Sequence, residues 1–331
     1  MGIRETFRSG HAPSAGLPAK PVTVPDFSGE EQVRRGIIVV LLVNVVWGLL
    51  PLYWKQGSHV PAVEVLCHRS LWGFILVFGL LWLRGGLSEA TDIMRNKRYM
   101  LFMIGCSLSH TFNWGFYIWA VGSGRVIDAA LGHYMLPVFN VLAGFLVFRE
   151  RPRRLQWAAI GLALFGVIGM IVMYGTLPWV GLIIAFNSML FASFRKNAPV
   201  NAMPGLVVEL LLTAPFLWGY LVYLYATGQG AFFSVNLTQD LWLIGAGIVT
   251  IIPQLGYAYA LCRVPLTTIA LVQYITPTGN FLVGLLVFGE AFTPDKAFGF
   301  ACIWTALIVF TMEGVMYRRS VHKAVGGKKI S

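Results

Sequence analysis

Charge is what this chain has least of, and acidic charge above all. Only 14 Asp and Glu stand against 25 Lys and Arg in 331 residues, so 12% of the chain is charged. A soluble domain carries roughly 25%, and a water-facing fold of this length needs a polar skin that this composition does not supply. Cysteine is also scarce. Cys67, Cys106, Cys262 and Cys302 lie in apolar stretches without CxxC or CxxH spacing, which excludes a disulfide scaffold and a zinc module and leaves four small apolar side chains. HExxH, GxSxG and Walker A runs are absent as well, so no catalytic, cofactor or metal residue is assigned and the chain is read as a non-enzyme. What abounds is apolar: 57% hydrophobic and 14% aromatic residues, with a mean hydropathy of +0.70. Such side chains face lipid.

The first 35 residues form a polar Pro/Gly/Ser-containing tail without the apolar segment of a secretory signal, and are read as a disordered cytoplasmic tail. Ten apolar stretches follow, at 36–53, 62–83, 99–121, 127–148, 155–173, 178–194, 205–225, 241–262, 266–288 and 297–317. Each is long enough to cross about 30 Å of hydrocarbon as a helix. With the N-terminus inside, the cytoplasmic segments collect 21 of the 25 Lys and Arg. The outer segments hold only Lys55, Arg125 and Lys296, and Arg69 lies within the second stretch. That bias predicts ten transmembrane helices with both termini cytoplasmic. The net charge of +11 is then a topology signal and not a nucleic-acid footprint.

A shift of 140 residues lays 130–150 over 270–290 with 11 of 21 positions identical. Tyr134/Tyr274, Pro137/Pro277, Asn140/Asn280, Gly144/Gly284 and Glu150/Glu290 are among them, and Tyr117 falls on Tyr257. Hydrophobic composition does not place Tyr, Pro, Asn and Glu in register by chance. Each half holds five helices, an odd number, so the halves enter the membrane from opposite sides as inverted repeats. Two such bundles can exchange conformations around one binding site.

The repeat resembles the EamA domains of the drug/metabolite transporter superfamily. Several stretches resemble its RarD branch: WGLLPLYWK at 47–55, VPAVEVLCHRSLWGF at 60–74, NWGFYIWAV at 113–121, LGHYMLPVFNVLAG at 131–144, FRERPRRLQW at 148–157, AGIVTIIP at 246–253 and QYITPTGNFL at 273–282. The resemblance covers about residues 36–318. It implies an all-α membrane protein of ten helices in two EamA repeats, 36–175 and 176–318, followed by a basic cytoplasmic tail at 319–331. It also implies a transporter of the bacterial inner membrane, working as an exporter. Some relatives move amino acids, others drugs or metabolites, and the RarD branch was first linked to chloramphenicol sensitivity.

Charges at bilayer depth cost about 2.5–3.5 kcal/mol on insertion scales, so each needs a reason. Arg69 and Glu209 are counterparts under the shift. Inversion puts them in opposite leaflets, which argues against a direct pair. Arg69 is read either as a substrate anion site or as a side chain snorkelling to the interface. Glu209 is the candidate proton-coupling carboxylate, with a structural hydrogen bond as the alternative. Glu64, expected at the outer interface, shares a helix face with His68, but no metal is assigned there. Asn113 and Tyr117, Gln254 and Tyr257, Tyr134, and Gln273 and Tyr274 suggest, with His68 and Arg69, a cavity for a flat amphipathic or zwitterionic solute. Pro137 and Pro277 each free a carbonyl four residues earlier and are the candidate hinges. The implied partners are a small-molecule substrate, membrane lipid and a coupling proton. An accessory scaffold or a lipid-handling membrane enzyme is the alternative reading.

Overall fold

Backbone in hydrocarbon must satisfy its own hydrogen bonds, and only helices or closed barrels do so. The computed structural model describes residues 30–146, 149, 152–198, 200–261, 263–264, 268–269 and 272–326, and among these there is no strand. The helices are α1 Glu30–Gln56, α2 Ala62–Leu83, α3 Leu87–Arg95, α4 Lys97–Gly122, α5 Val126–Leu146 and α6 Arg154–Tyr174. They continue with α7 Trp179–Asn197, α8 Ala202–Ala226, α9 Leu237–Leu261, α10 Ile275–Leu282 and α11 Pro294–Gly326.

Seven of these, α1, α2, α5, α6, α8, α9 and α11, are long and apolar enough to cross a membrane. The ten apolar stretches of the sequence also overlap α4, α7 and α10, which fall outside that group. The reason is physical. Helices α4 and α7 carry polar residues that face the interior of the molecule, such as His110 and Asn113 on α4 and Ser188 on α7. Helix α10, with Asn280 on its inner side, belongs to a short apolar helix over Ile275–Val287. Side chains turned outward are apolar instead: Phe216 on α8 is 77% exposed and Ile308 on α11 is 59% exposed, as lipid contact requires.

Four local features depart from the sequence reading. Helix α1 begins at Glu30, inside the segment read as a tail, with Glu31 and Arg35 paired one turn apart at 2.5 Å. Residues 84–98, read as a loop, contain the amphipathic α3, and the Asn96 Oδ1 that follows it accepts the amides of Arg98 and Tyr99 to start α4. Pro137 lies in the middle of a continuous α5, whereas Pro277 lies in the first turn of α10, after a turn at Gln273–Tyr274. At its other end α10 runs into a π-helical turn, Val283–Val287. Helix α11 runs through to Gly326, well into the segment read as a C-terminal tail.

Helices α1 and α2 both pack on α9, α4 packs on α7 and α8, and α5 packs on α7 and α10. Further pairs are α1 with α10, α2 with α8, and α6 along α11. Glycine sets the closest approaches. A Cβ on Gly132 would stand 2.5 Å from the Gly181 carbonyl oxygen, one on Gly247 2.4 Å from the Gly73 nitrogen, and one on Gly279 2.8 Å from the Gly48 Cα. Each of these three contacts joins a helix before residue 175 to one after it.

Candidate functional site

These crossings leave a cavity of about 660 Å³ between α1, α4, α5, α7, α9, α10 and α11. It reaches Pro152 and Gln156 at the start of α6 and ends at Tyr117 and Leu50, in the C-terminal parts of α4 and α1. Beyond it, Trp54 is buried and packs against Trp114 and Trp242, and Tyr53 stacks on Trp242 while donating to its carbonyl. Aromatic packing therefore closes the end away from α6.

One wall is held by a single amide. With the Asn280 amide turned so that its NH2 faces α1, it donates to the carbonyls of Gly48 at 3.0 Å and Trp47 at 3.2 Å. Its oxygen then accepts from the Tyr117 hydroxyl at 3.2 Å. Thr276 donates to Asn44 Oδ1 at 2.9 Å, so α1 and α10 are joined on two successive turns. The Gly48–Gly279 approach allows the carbonyls to come this near.

A second wall carries buried charge. Glu209, 4% exposed, accepts from Arg195 Nη1 at 2.8 Å and lies 3.1 Å from His110 Nδ1. Trp114 Nε1 donates to His110 Nε2 at 2.7 Å, and Gln254 Nε2 is 3.4 Å from the same nitrogen. Two donors aimed at Nε2 make it the acceptor and put the ring proton on Nδ1, facing the carboxylate. The opposite partner of Trp114 is Arg69, whose guanidinium carbon is 4.1 Å from the ring centre. Arg69 is 4% exposed, forms no ion pair or hydrogen bond among the described residues, and leaves Nε without a partner. Arg69 and Glu209 do not pair directly. They stand at the ends of a chain running through Trp114 and His110.

Of the residues singled out in the sequence, Asn113, Tyr117, Gln254, Gln273, Tyr274, Pro137 and Pro277 line the cavity. Arg69 and Glu209 lie directly behind its wall. Tyr257 is set back, accepting from Gln273 Nε2 at 2.8 Å and packing on Trp47. Tyr134 shares a hydrogen bond with Thr278 at 2.6 Å and packs on Phe300 and Trp304. His68 is remote, tilted against Phe232 and 4.0 Å from Glu64. Glu64 is buried at 1% exposure instead of sitting at the interface, because its carboxylate accepts the Ala231 amide at 2.5 Å. The Gln273 carbonyl that Pro277 cannot reach is not free either; it accepts from Thr276 N at 3.2 Å. Glu290 accepts the amides of Val126 and Ile127 at 2.8 and 2.9 Å, capping α5, while Glu150 lies outside the described residues.

His110 and Arg195 were not foreseen. His110 has no polar match of comparable strength under the shift, since Thr250 is its counterpart. Arg195 reads as a loop charge, yet it lies in the last turn of α7 and folds back onto α8. Among the described residues no group of three His, Cys, Asp or Glu could hold a metal ion.

A bundle of long apolar helices around a solute-sized polar cavity defines a multi-pass membrane protein of the transporter class. Residues 34–172 match the EamA-like transporter family. An uncharacterized transporter of Vibrio cholerae is 34% identical, covering 89% of this chain and 98% of that protein. Protein RarD of Escherichia coli K12 is 32% identical over 88% of this chain and 99% of its own length. A protein of Pseudomonas aeruginosa named chloramphenicol-sensitive protein RarD is 27% identical over 83% and 93%. A solved crystal structure shares the fold with a TM-score of 0.53 and 20% identity, covering 85% of this chain and 98% of that one. The chain belongs to the RarD-type branch of the EamA-like transporter family.

Proposed function

We propose that the protein is a secondary transporter exporting a small amphipathic or zwitterionic solute by alternating access between two inverted five-helix halves, residues 36–175 and 176–318. The observation that carries this reading is the symmetry of neighbours. Exchanging α1 with α7, α2 with α8, α4 with α9, α5 with α10 and α6 with α11 turns the α2–α9 contact into α8–α4, α4–α7 into α9–α1, and α5–α7 into α10–α1. All six contacts occur, as they do around a two-fold axis lying in the membrane plane.

The two halves are not in the same state. Asn280 ties α10 to α1, but its counterpart Asn140 is exposed in the cavity and makes no hydrogen bond among the described residues. In the opposite state Asn140 bonds the carbonyls of Asn187 and Ser188 and accepts from Tyr257, while Asn280 lets go. On this reading both termini and the open end of the cavity face the cytoplasm, as the Lys/Arg bias of the sequence favours. Glu209 is the proton-coupling acid of this reading, and His110 carries its state to the cavity wall.

The test is counterflow in proteoliposomes with labelled amino acids, metabolites and chloramphenicol. Exchange of any one of them supports the reading. A folded, reconstituted protein that exchanges none of them removes it.

A further inference from the structure

Among the described residues lining the cavity there is no Asp, Glu, Lys or Arg; carboxamides and aromatic rings dominate. An organic cation without N–H donors finds no counter-charge in such a space and cannot hydrogen-bond the carboxamide oxygens, so its main source of attraction is the face of an aromatic ring. Trp114 lies in the lining beside the His110–Gln254 wall, and that ring is already engaged. The Arg69 guanidinium stands 4.1 Å behind it. A π system drawn towards a cation on one side presents a less negative face on the other. The guanidinium also brings a positive charge that no side chain cancels locally. Glu209 is the acid acting on Arg69, but its two oxygens are bonded to Arg195 and His110. Arg69, Arg195 and Glu209 thus leave the wall one positive charge in excess, and in a site of low dielectric that excess is felt across the cavity. His110, with its Nε2 accepting from Trp114, adds no negative charge.

We infer that Arg69 is the specificity-determining residue for charge: acting through Trp114 and through its own field, it admits uncharged and zwitterionic aromatic solutes and refuses organic cations. This deepens the transporter reading and rests on it.

The test uses a pair of probes alike in shape and different in charge, tetraphenylphosphonium and triphenylphosphine oxide, with binding to the full chain in nanodiscs measured by equilibrium dialysis. Wild type is expected to bind the neutral oxide at least about tenfold more tightly than the phosphonium. Arg69→Met should raise phosphonium affinity about tenfold and leave that of the oxide within about threefold. Arg69→Lys, which keeps the charge, should still refuse the cation. Equal binding of both probes by wild type overturns the inference even if the variants fail to fold. So does an Arg69→Met protein that binds the oxide but gains nothing for the phosphonium. A wild type that binds neither probe counts instead against the cavity as a solute site, and with it against the transporter reading.

Discussion

Glu209 and Arg195 form an ion pair whose acid is buried and whose base is partly exposed, with side-chain exposures of 5% and 25%. Removing one partner of a buried pair leaves the other charge unpaid, at a cost of about 3 kcal/mol or more. Arg195→Met should therefore lower the thermal midpoint markedly, and Arg195→Met combined with Glu209→Gln should recover much of the loss; a double variant no better than the single one would show that the pair is not coupled. In the proposed function the same carboxylate couples transport to protons. Glu209→Gln should abolish proton-driven uptake while preserving exchange, and an unchanged pH dependence would remove Glu209 from coupling. Its expected place in the cycle follows from His110. A proton arriving at Nε2 meets the Trp114 and Gln254 donors, so these must turn away before the ring can be doubly protonated. Little of this was legible in the sequence. Arg69 and Glu209 stand out as charges within apolar runs, but the side chains that connect them, Trp114 and His110, come from α4, remote in the chain from both, and no local pattern signals that they meet.

At the level of elements, the sequence announces the long apolar helices and misjudges the joints. Proline at matched positions suggests matched kinks. The structure gives a proline inside α5 and another at the start of α10, because the chain turns at Gln273–Tyr274 before α10 begins. Single glycines scattered along different helices carry no motif, yet three pairs of them set the closest crossings. Glu290 shows how such an element is fixed at its end. Its carboxylate caps the first amides of α5 from the segment after α10, satisfying orphan donors at the positive end of the helix dipole. Glu290→Ala should cost about 1–2 kcal/mol, and Glu290→Gln less, since the amide oxygen still accepts. Unfolding of purified protein in detergent measures both. An alanine variant as stable as wild type would show that the cap contributes nothing.

At the level of the whole molecule, the asparagine pair gives the most direct handle on the cycle. Asn280→Ala removes the bonds from α10 to the Gly48 and Trp47 carbonyls and should release the closed end. Ser188→Cys, placed on the cavity wall in a cysteine-free background, should react with an impermeant thiol reagent from the side of α6's first turn. Adding Asn280→Ala should lower that reactivity and raise it from the opposite face. Unaltered labelling from both faces would show that Asn280 is not a latch. The matched asparagines were visible in the sequence. Their unequal bonding was not, because a repeat specifies what two halves share and a conformational state is the way in which they differ.

The polar inner faces of α4 and α7 have a consequence for how the chain is made. A ribosome delivers α4 to the bilayer before α7 and α8, the helices that cover it, have been synthesised. During that interval the Glu209 partners of Ser107 and His110 do not yet exist, and α4 is held only by its contacts with α1, α2, α3 and α5. Shielding is completed only when the later helices arrive, so on the two-repeat reading the first half, α1 to α6, is expected not to settle as an independent unit. On that reading, a gene encoding only that half would have to provide a second copy inserted in the reverse sense, whose first helix would take the place of α7.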